Sequence, residues 1–231
     1  MKQVCTLFLL FTLVSSLSFA QSDEDALWQQ TINHFSKSQD WIPGKIVSNF
    51  ELLNGNGDPE EVTQTTMKIF QDDNGNITSK VVEVVQNGND RTESAQEKQG
   101  EPQNRDFSMK ESLFHPENQD RLERTRLSDT RIIDGQRCVG YEYTLELEEE
   151  TRNGTVWIDA ETGLPVENVY SPDPLPKRVK KLENRVTFSY TPDGSFYVDR
   201  LSVEGRGGVL FIQKEFRMEM TFYDYWKHES N

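Results

Sequence analysis

Residues able to do chemistry are few and scattered. The chain has three histidines, His34, His115 and His228, each far in sequence from the others. Nothing matches His-Glu-x-x-His, Cys-x-x-Cys, the Gly-x-Ser-x-Gly elbow or a phosphate-binding glycine loop. His34 falls on the polar side of an amphipathic stretch and His228 in the tail, so all three read as surface residues. Cys138 follows Arg137, and a basic neighbour can lower a thiol pKa. With no resolving cysteine or nearby histidine, it reads as a small buried residue. "DDNGN" at 72–76 misplaces its glycine for a calcium loop and reads as a hairpin turn. A carboxylate pair for glycoside hydrolysis is defined by spacing in three dimensions, which the sequence does not signal. Asn76-Ile77-Thr78 and Asn153-Gly154-Thr155 match the glycosylation acceptor pattern. The expectation is a protein that is not an enzyme, with no cofactor and no metal.

The pattern that suggests function is apolar. From Val209 to Tyr225 the chain alternates as one long strand, with Leu210, Ile212, Phe216, Met218, Met220 and Phe222 on even positions, interrupted by Lys214, and Gln213, Glu215, Arg217, Glu219 and Thr221 on odd ones. A flat strand of that length would span about 55 Å at about 3.3 Å per residue. A domain of this size is narrower, so the sheet must coil. The concave face of a coiled open sheet is filled by its own helices, by a ligand, or by both.

The elements that position this stripe start after a targeting segment. Lys2, the apolar run Val4–Val14 and the small residues Ser18 and Ala20 form a signal peptide over 1–20. The run is short for a membrane span of about 20 residues. Cys5 does not follow the run, as a lipid anchor requires, so a soluble chain starting near Gln21 is expected. That chain keeps only Cys138 and must rely on a packed core. The net charge of -14 argues against nucleic acid and anionic lipid headgroups as partners. Residues 21–231 are expected to form one domain.

Ser22–Ser38 reads as a helix capped by Ser22 and Asp25, with Leu27, Trp28, Ile32 and Phe35 on one face for packing onto a sheet. Lys45–Leu53, Val62–Gln71 and Ile77–Gln86 read as strands joined by Asn-Gly turns. Polar residues 87–106 read as a flexible loop. Phe107–Phe114 reads as a fourth strand, and Pro116–Arg126 as a short helix or turn. Arg131–Glu148 is a hairpin about Asp134-Gly135, and "RNG" at 152–154 a turn into the next strand. "GTVWIDAETGLPVENVY" at 154–170 is another hairpin, with Gly163 left-handed and Pro165 at a strand start or edge. Ser171–Glu183 reads as a crossover carrying the basic cluster Lys177, Arg178, Lys180 and Lys181. Asn184–Thr191 and Ser195–Glu204 are strands, and "GRGG" at 205–208 a turn. The fold class is mainly β, within α+β.

The order of elements, with Trp157-Ile158-Asp159 before a turn and then Thr162-Gly163-Leu164-Pro165, resembles the periplasmic lipoprotein-sorting and carrier superfamily (LolA/LolB-like). That superfamily includes the sensory domain that regulates an envelope-stress anti-sigma factor. The resemblance implies an incomplete antiparallel β-barrel wrapped over an N-terminal helix and short lid helices, with an apolar cavity for acyl chains. Arg121, Arg124 and Arg126 are candidates for the family's lid arginine, none in a matching motif.

The functional expectation is a periplasmic carrier holding a lipid or acylated protein. One wall is Leu210, Ile212, Phe216, Met218, Met220 and Phe222. The other is Val186, Phe188 and Tyr190 with Trp28, Ile32 and Phe35. Two readings stand beside it: an envelope interaction protein with a fully packed core, docking through edge strands or Lys177, Arg178, Lys180 and Lys181, and a hydrolase whose site is built from distant residues.

Overall fold

The computed structural model describes residues 26–104, 109–209 and 212–228. The signal-peptide expectation, the Ser22–Asp25 cap and Leu210 lie outside them. Helix α1 spans 26–38. Three strands follow, β1 (Trp41–Ile42), β2 (Lys45–Leu53) and β3 (Pro59–Gln71), then β4 (Ile77–Gln86) and β5 (Asn89–Asp90). Helix α2 (Thr92–Gln99) and β6 (Gln103–Asn104) occupy the segment expected as a loop. After a 3-10 turn at Pro116–Arg121 come β7 (Leu122–Ile133), β8 (Gln136–Glu146), β9 (Thr151–Asp159), β10 (Pro165–Asp173), β11 (Val179–Tyr190), β12 (Phe196–Val209), β13 (Ile212–Tyr223) and β14 (Trp226–Lys227).

The large sheet runs β5-β4-β3-β2-β13-β12-β11-β10-β9-β8-β7, with β6 also on β4. Every pairing is antiparallel, and β4 and β7 do not meet, so the sheet is an open half-barrel. Cross-strand partners share a face. Tyr141, Val156, Asn168, Val186, Leu201, Met220 and Ser48 therefore form one continuous row across seven strands on the concave side.

Helix α1 fills one half of that hollow. Trp28, Ile32 and Phe35 pack with Tyr141, Val156, Ile158 and Phe196 in the main core. Trp28 stands 5.2 Å from Tyr141 and 5.4 Å from Phe114, ring centre to ring centre. Each such aromatic pair adds about 0.5–1.5 kcal/mol beyond area burial. The helix is pinned at two turns. Thr31 Oγ donates to the Gly163 carbonyl at 2.8 Å, and Gln30 Nε2 to the Thr162 carbonyl at 2.9 Å. Further along, Ser38 Oγ accepts from the Phe196 amide at 2.8 Å. Asp159 shapes the first turn by accepting from the Glu161 and Thr162 amides. Gly163 has φ +67, and a Cβ there would come 2.8 Å from Gln30. The patterning of "WIDAETGLP" is thus that of a turn built to dock a helix. On the convex side Trp157 joins Cys138 and Val166 in a smaller cluster, so both faces of β9 are buried.

Several boundaries differ from the sequence reading. Residues 109–114 are turns, not a strand. The bend before β9 is at 147–150, where the Leu147 amide donates to the Glu150 carbonyl, and Arg152–Gly154 lie inside the strand. Residues 171–183 are no crossover, because β10 runs to Asp173 and β11 starts at Val179. "GRGG" is strand, with Gly205 opposite Phe216. A Cβ on Gly205 would come 2.3 Å from the Phe216 ring, so the missing side chain makes room for that ring. The last long strand accordingly begins at Ile212 rather than Val209.

Helix α2 buries no residue of its own. Its side chains complete the backbone of edge strand β4. Thr92 Oγ accepts from the Val84 amide, Gln99 Oε1 from the Val81 amide, and Gln96 and Gln99 donate to the Val81 and Ser79 carbonyls. With β5 and β6 at its two ends, the β4 edge is satisfied along its length.

Candidate functional site

Beside the helix-filled half, the hollow holds a cavity of about 490 Å³. Its floor comes from five strands: Tyr143 and Leu145, Arg152, Asn168 and Tyr170, Val186 and Phe188, and Val198. Its roof is residues 109–114, which cross the concave face. Local amide side chains fix that roof. Asn118 Nδ2 donates to the Lys110 and Ser112 carbonyls, and Gln119 Nε2 to those of Leu113 and His115. Gln119 Oε1 accepts from Trp28 Nε1 at 2.9 Å, tying the roof to α1. Leu113, Phe114 and Leu145 are buried, while Val186, Phe188, Val198 and Met109 are half-buried.

The polar part of the lining is confined to one side. Tyr143 donates its phenol hydrogen to Asn168 Oδ1 at 2.9 Å. Burial pushes the Tyr143 and Tyr170 phenols up, so both stay neutral. Arg152 stacks 5.3 Å over the Tyr170 ring and is held by Glu150 at 2.6 Å and Glu111 at 2.5 Å. Its charge is thus balanced by protein carboxylates. A wider groove of about 840 Å³ adjoins through Lys110, Glu111 and Arg152, with Glu117, Glu148, Glu149 and Glu150 on its rim. The arrangement suits an apolar chain with a short polar end.

Val186 and Phe188 line the cavity as expected. Trp28, Ile32 and Phe35 do not, because they are consumed in the core at 1%, 9% and 0% exposure. Tyr190 is half-buried against the same core, its hydroxyl donating to the Pro165 carbonyl at 2.9 Å. Phe216, Met218, Met220 and Phe222 are all half-buried, so the face expected to be dry is only partly covered. Met220 and Phe222 pack against Ile42, Ile46 and Ile69 in a second cluster that includes no α1 residue. Phe216 stacks on Phe50 at 6.3 Å. Ile212 is in β13, but its side chain lies outside the described residues.

Lys177, Arg178, Lys180 and Lys181 are exposed. Lys180 and Lys181 border a polar groove with Glu204, Arg206, Glu215 and Arg217, two of them carboxylates. Arg206–Glu215 and Arg217–Glu204 pair across it, so the basic patch is interleaved with acid.

The histidines stay apart and none is fully exposed. His34 meets the Thr162 carbonyl at 2.9 Å through Nε2, and His115 accepts from the Glu117 amide. The His228 ring lies 5.9 Å from Trp226. Cys138 is buried, and desolvation, with Asp159 next, raises its thiol pKa. Of the three arginines weighed for a lid, Arg124 lies 4.8 Å over Trp28 and Arg121 borders the outer groove. Arg126 stands opposite Tyr141 in β7. Among the described residues no group of His, Cys, Asp or Glu could hold a metal ion, and no helix is long and apolar enough to cross a membrane.

No protein-family model matches the chain, and no curated protein matches it significantly. Solved structures do. The chain is similar in structure to a lipoprotein-sorting domain. That protein, described as an outer membrane lipoprotein-sorting protein domain from Vibrio parahaemolyticus, is 11% identical over 88% of this chain and 93% of its own, with a TM-score of 0.44. A DUF1329 family protein from Desulfovibrio piger is 13% identical over 88% and 92%, with a TM-score of 0.39. The MucA/MucB complex of Pseudomonas aeruginosa gives 8% over 89% and 100%, with a TM-score of 0.25. These are likenesses of overall architecture, and no site residue is carried over from them.

Tyr143, Asn168, Arg152 and the roof residues were not legible as site residues. Arg152 reads as part of a turn and Asn168 as an ordinary strand residue, and only the cross-strand register brings them to one cavity.

Proposed function

We propose that this chain is a binding or carrier protein of the cell envelope that takes the acyl chain of a lipid or acylated protein into the hollow of its sheet, without a covalent step. The observation that carries the reading is the cavity between residues 109–114 and the concave faces of β8 to β12. About 490 Å³ lies within the range of about 300–1,000 Å³ for small-molecule sites, and its mixture of mostly apolar lining with a few convergent polar groups is typical of them. Burying ten methylenes would contribute about 8 kcal/mol at about 0.8 kcal/mol each, offset in part by the lost freedom of the chain. The half-buried surface of Leu201, Met218, Met220 and Phe50 extends the apolar track beyond the cavity. The N-terminal pattern supports export, and the scattered histidines support a non-enzymatic role. Native mass spectrometry of protein purified from the compartment to which it is exported tests the reading. A lipid-sized adduct that organic extraction removes and reloading restores is expected. Protein that never carries or takes up lipid would sink it.

A second reading is favoured by the β7 edge. That strand has no partner on its outer side among the described residues, and Ile132 near its end is 70% exposed. An extended segment of a protein partner could add to it. Ile132→Lys should then abolish partner recovery while leaving lipid uptake unchanged. Full recovery with that variant would reject the edge as the docking site.

A further inference from the structure

The floor of the cavity carries an amide whose hydrogen-bonding capacity the protein does not use up. Asn168 stands on the concave face of β10 between Val156 and Val186, and is 6% exposed. Tyr143 takes one end of its amide. The other end has no side-chain or backbone partner among the described residues and borders the cavity. Turning the amide over changes which atom meets Tyr143 and not the count, so one polar end is always left for the cavity. Tyr143 donates to Oδ1, which leaves Nδ2 as the free end.

The same chemistry recurs one step along the face. Tyr170, two residues after Asn168, pairs with Asn184 on β11, and Asn184 pairs with Val203 on β12. Asn184 is 9% exposed, and its side chain has no hydrogen-bond partner among the described residues. Asn184 lies on the row that leads through Val203 to the half-covered Met218 surface. Charge does not compete for this role, since Arg152 is already held by Glu111 and Glu150.

We propose that Asn168 is a specificity-determining residue that donates through Nδ2 to the carbonyl oxygen of an ester- or amide-linked acyl chain. This rests on the acyl-chain reading above and names the chemical feature that sets the ligand's depth. Leu145, Val186 and Phe188 take the methylenes next to that carbonyl.

The test uses the full exported chain and two probes below their micelle concentrations: 1-palmitoyl lysophosphatidylcholine and its 1-hexadecyl ether analogue, which lacks the carbonyl. Calorimetric titration should give the ester about 5- to 10-fold tighter binding, the usual yield of one hydrogen bond in a protected site. In Asn168→Leu, and in Tyr143→Phe/Asn168→Leu, which leaves no stranded phenol, the two probes should bind alike. The ether affinity should stay near that of the wild type, an outcome a merely structural asparagine would not give. Equal affinities in the wild type, or a preference that survives in both variants, would overturn the assignment. Failure of both probes to bind the wild type would overturn the acyl-chain reading instead. Competition by an N-palmitoyl peptide then distinguishes an acylated protein from a glycerolipid as the source of the carbonyl.

Discussion

Thr31 on the N-terminal helix donates its hydroxyl to the carbonyl of Gly163, 2.8 Å away and buried, across 132 residues of sequence. That bond fixes where α1 lies in the half-barrel, and so which part of the hollow stays open. Thr31→Val keeps the shape and strands the carbonyl. It should cost about 1–3 kcal/mol, read as a lower urea midpoint with an unchanged slope. Gly163→Ala adds a Cβ at positive φ against Gln30 and should destabilise by at least about 1 kcal/mol. Wild-type stability in both variants would show that the turn does not hold the helix.

The polar helix α2 predicts a defect in association rather than in folding. Thr92→Ala/Gln96→Ala/Gln99→Ala removes the side chains that complete β4. The exposed edge should then pair with another chain, giving dimers and larger species by light scattering after size exclusion. A triple variant that stays monomeric at high concentration would contradict this role.

Acid should weaken the fold through its turns. Asp193 is held down to a pKa of about 2 by the Thr191 hydroxyl and then the Ser195 amide, from an ordinary value near 3.8. Asp72 is lowered too, first by the Asn76 amide. A carboxylate depressed in the folded state contributes stability that is present above its unfolded value and lost as pH falls through the folded one. The melting temperature should therefore fall between about pH 4 and pH 2, and Asp193→Asn should flatten part of that slope. A variant with an unaltered profile would show that Asp193 contributes nothing to that slope.

Cys138 offers a probe of the β8–β9 packing. Its thiol is buried against Trp157 and Val166, with its pKa raised. A thiol reagent at pH 8 should label it only as fast as the protein opens, and at once in denaturant. Rapid labelling of the native protein would show that the convex cluster is loose.

Strand bounds were legible where turn chemistry punctuates them. Lys45–Leu53 and Ile77–Gln86 agree with the structure residue for residue, because turn residues bound them, Pro43-Gly44 and Asn54-Gly55 for the first and Asn74-Gly75 and Asn87-Gly88 for the second. Failures arose where a residue's role is set by a distant partner. Gly205 reads as a turn former, yet it lies in a strand because the Phe216 ring needs the space. Residues 92–99 have no apolar face and read as a loop, yet they form a helix whose task is to hydrogen-bond an edge. At the site, Val186 and Phe188 could be read from alternation. Asn168 and Tyr143 could not, since 25 residues of sequence and three strands of register bring them together.

In the proposed carrier, an acyl chain lies between residues 109–114 and the floor of strands β8 to β12. A palmitoyl lysolipid carrying a diazirine near the chain's middle, bound and photolysed, tests this directly by mapping of the labelled peptides. Labels on Met109, Leu145, Val186, Phe188 or Val198, lost when Val186→Trp fills the cavity, are the predicted result. Labels confined to convex-face residues such as Leu127 or Ile133, or unchanged by that substitution, would contradict it.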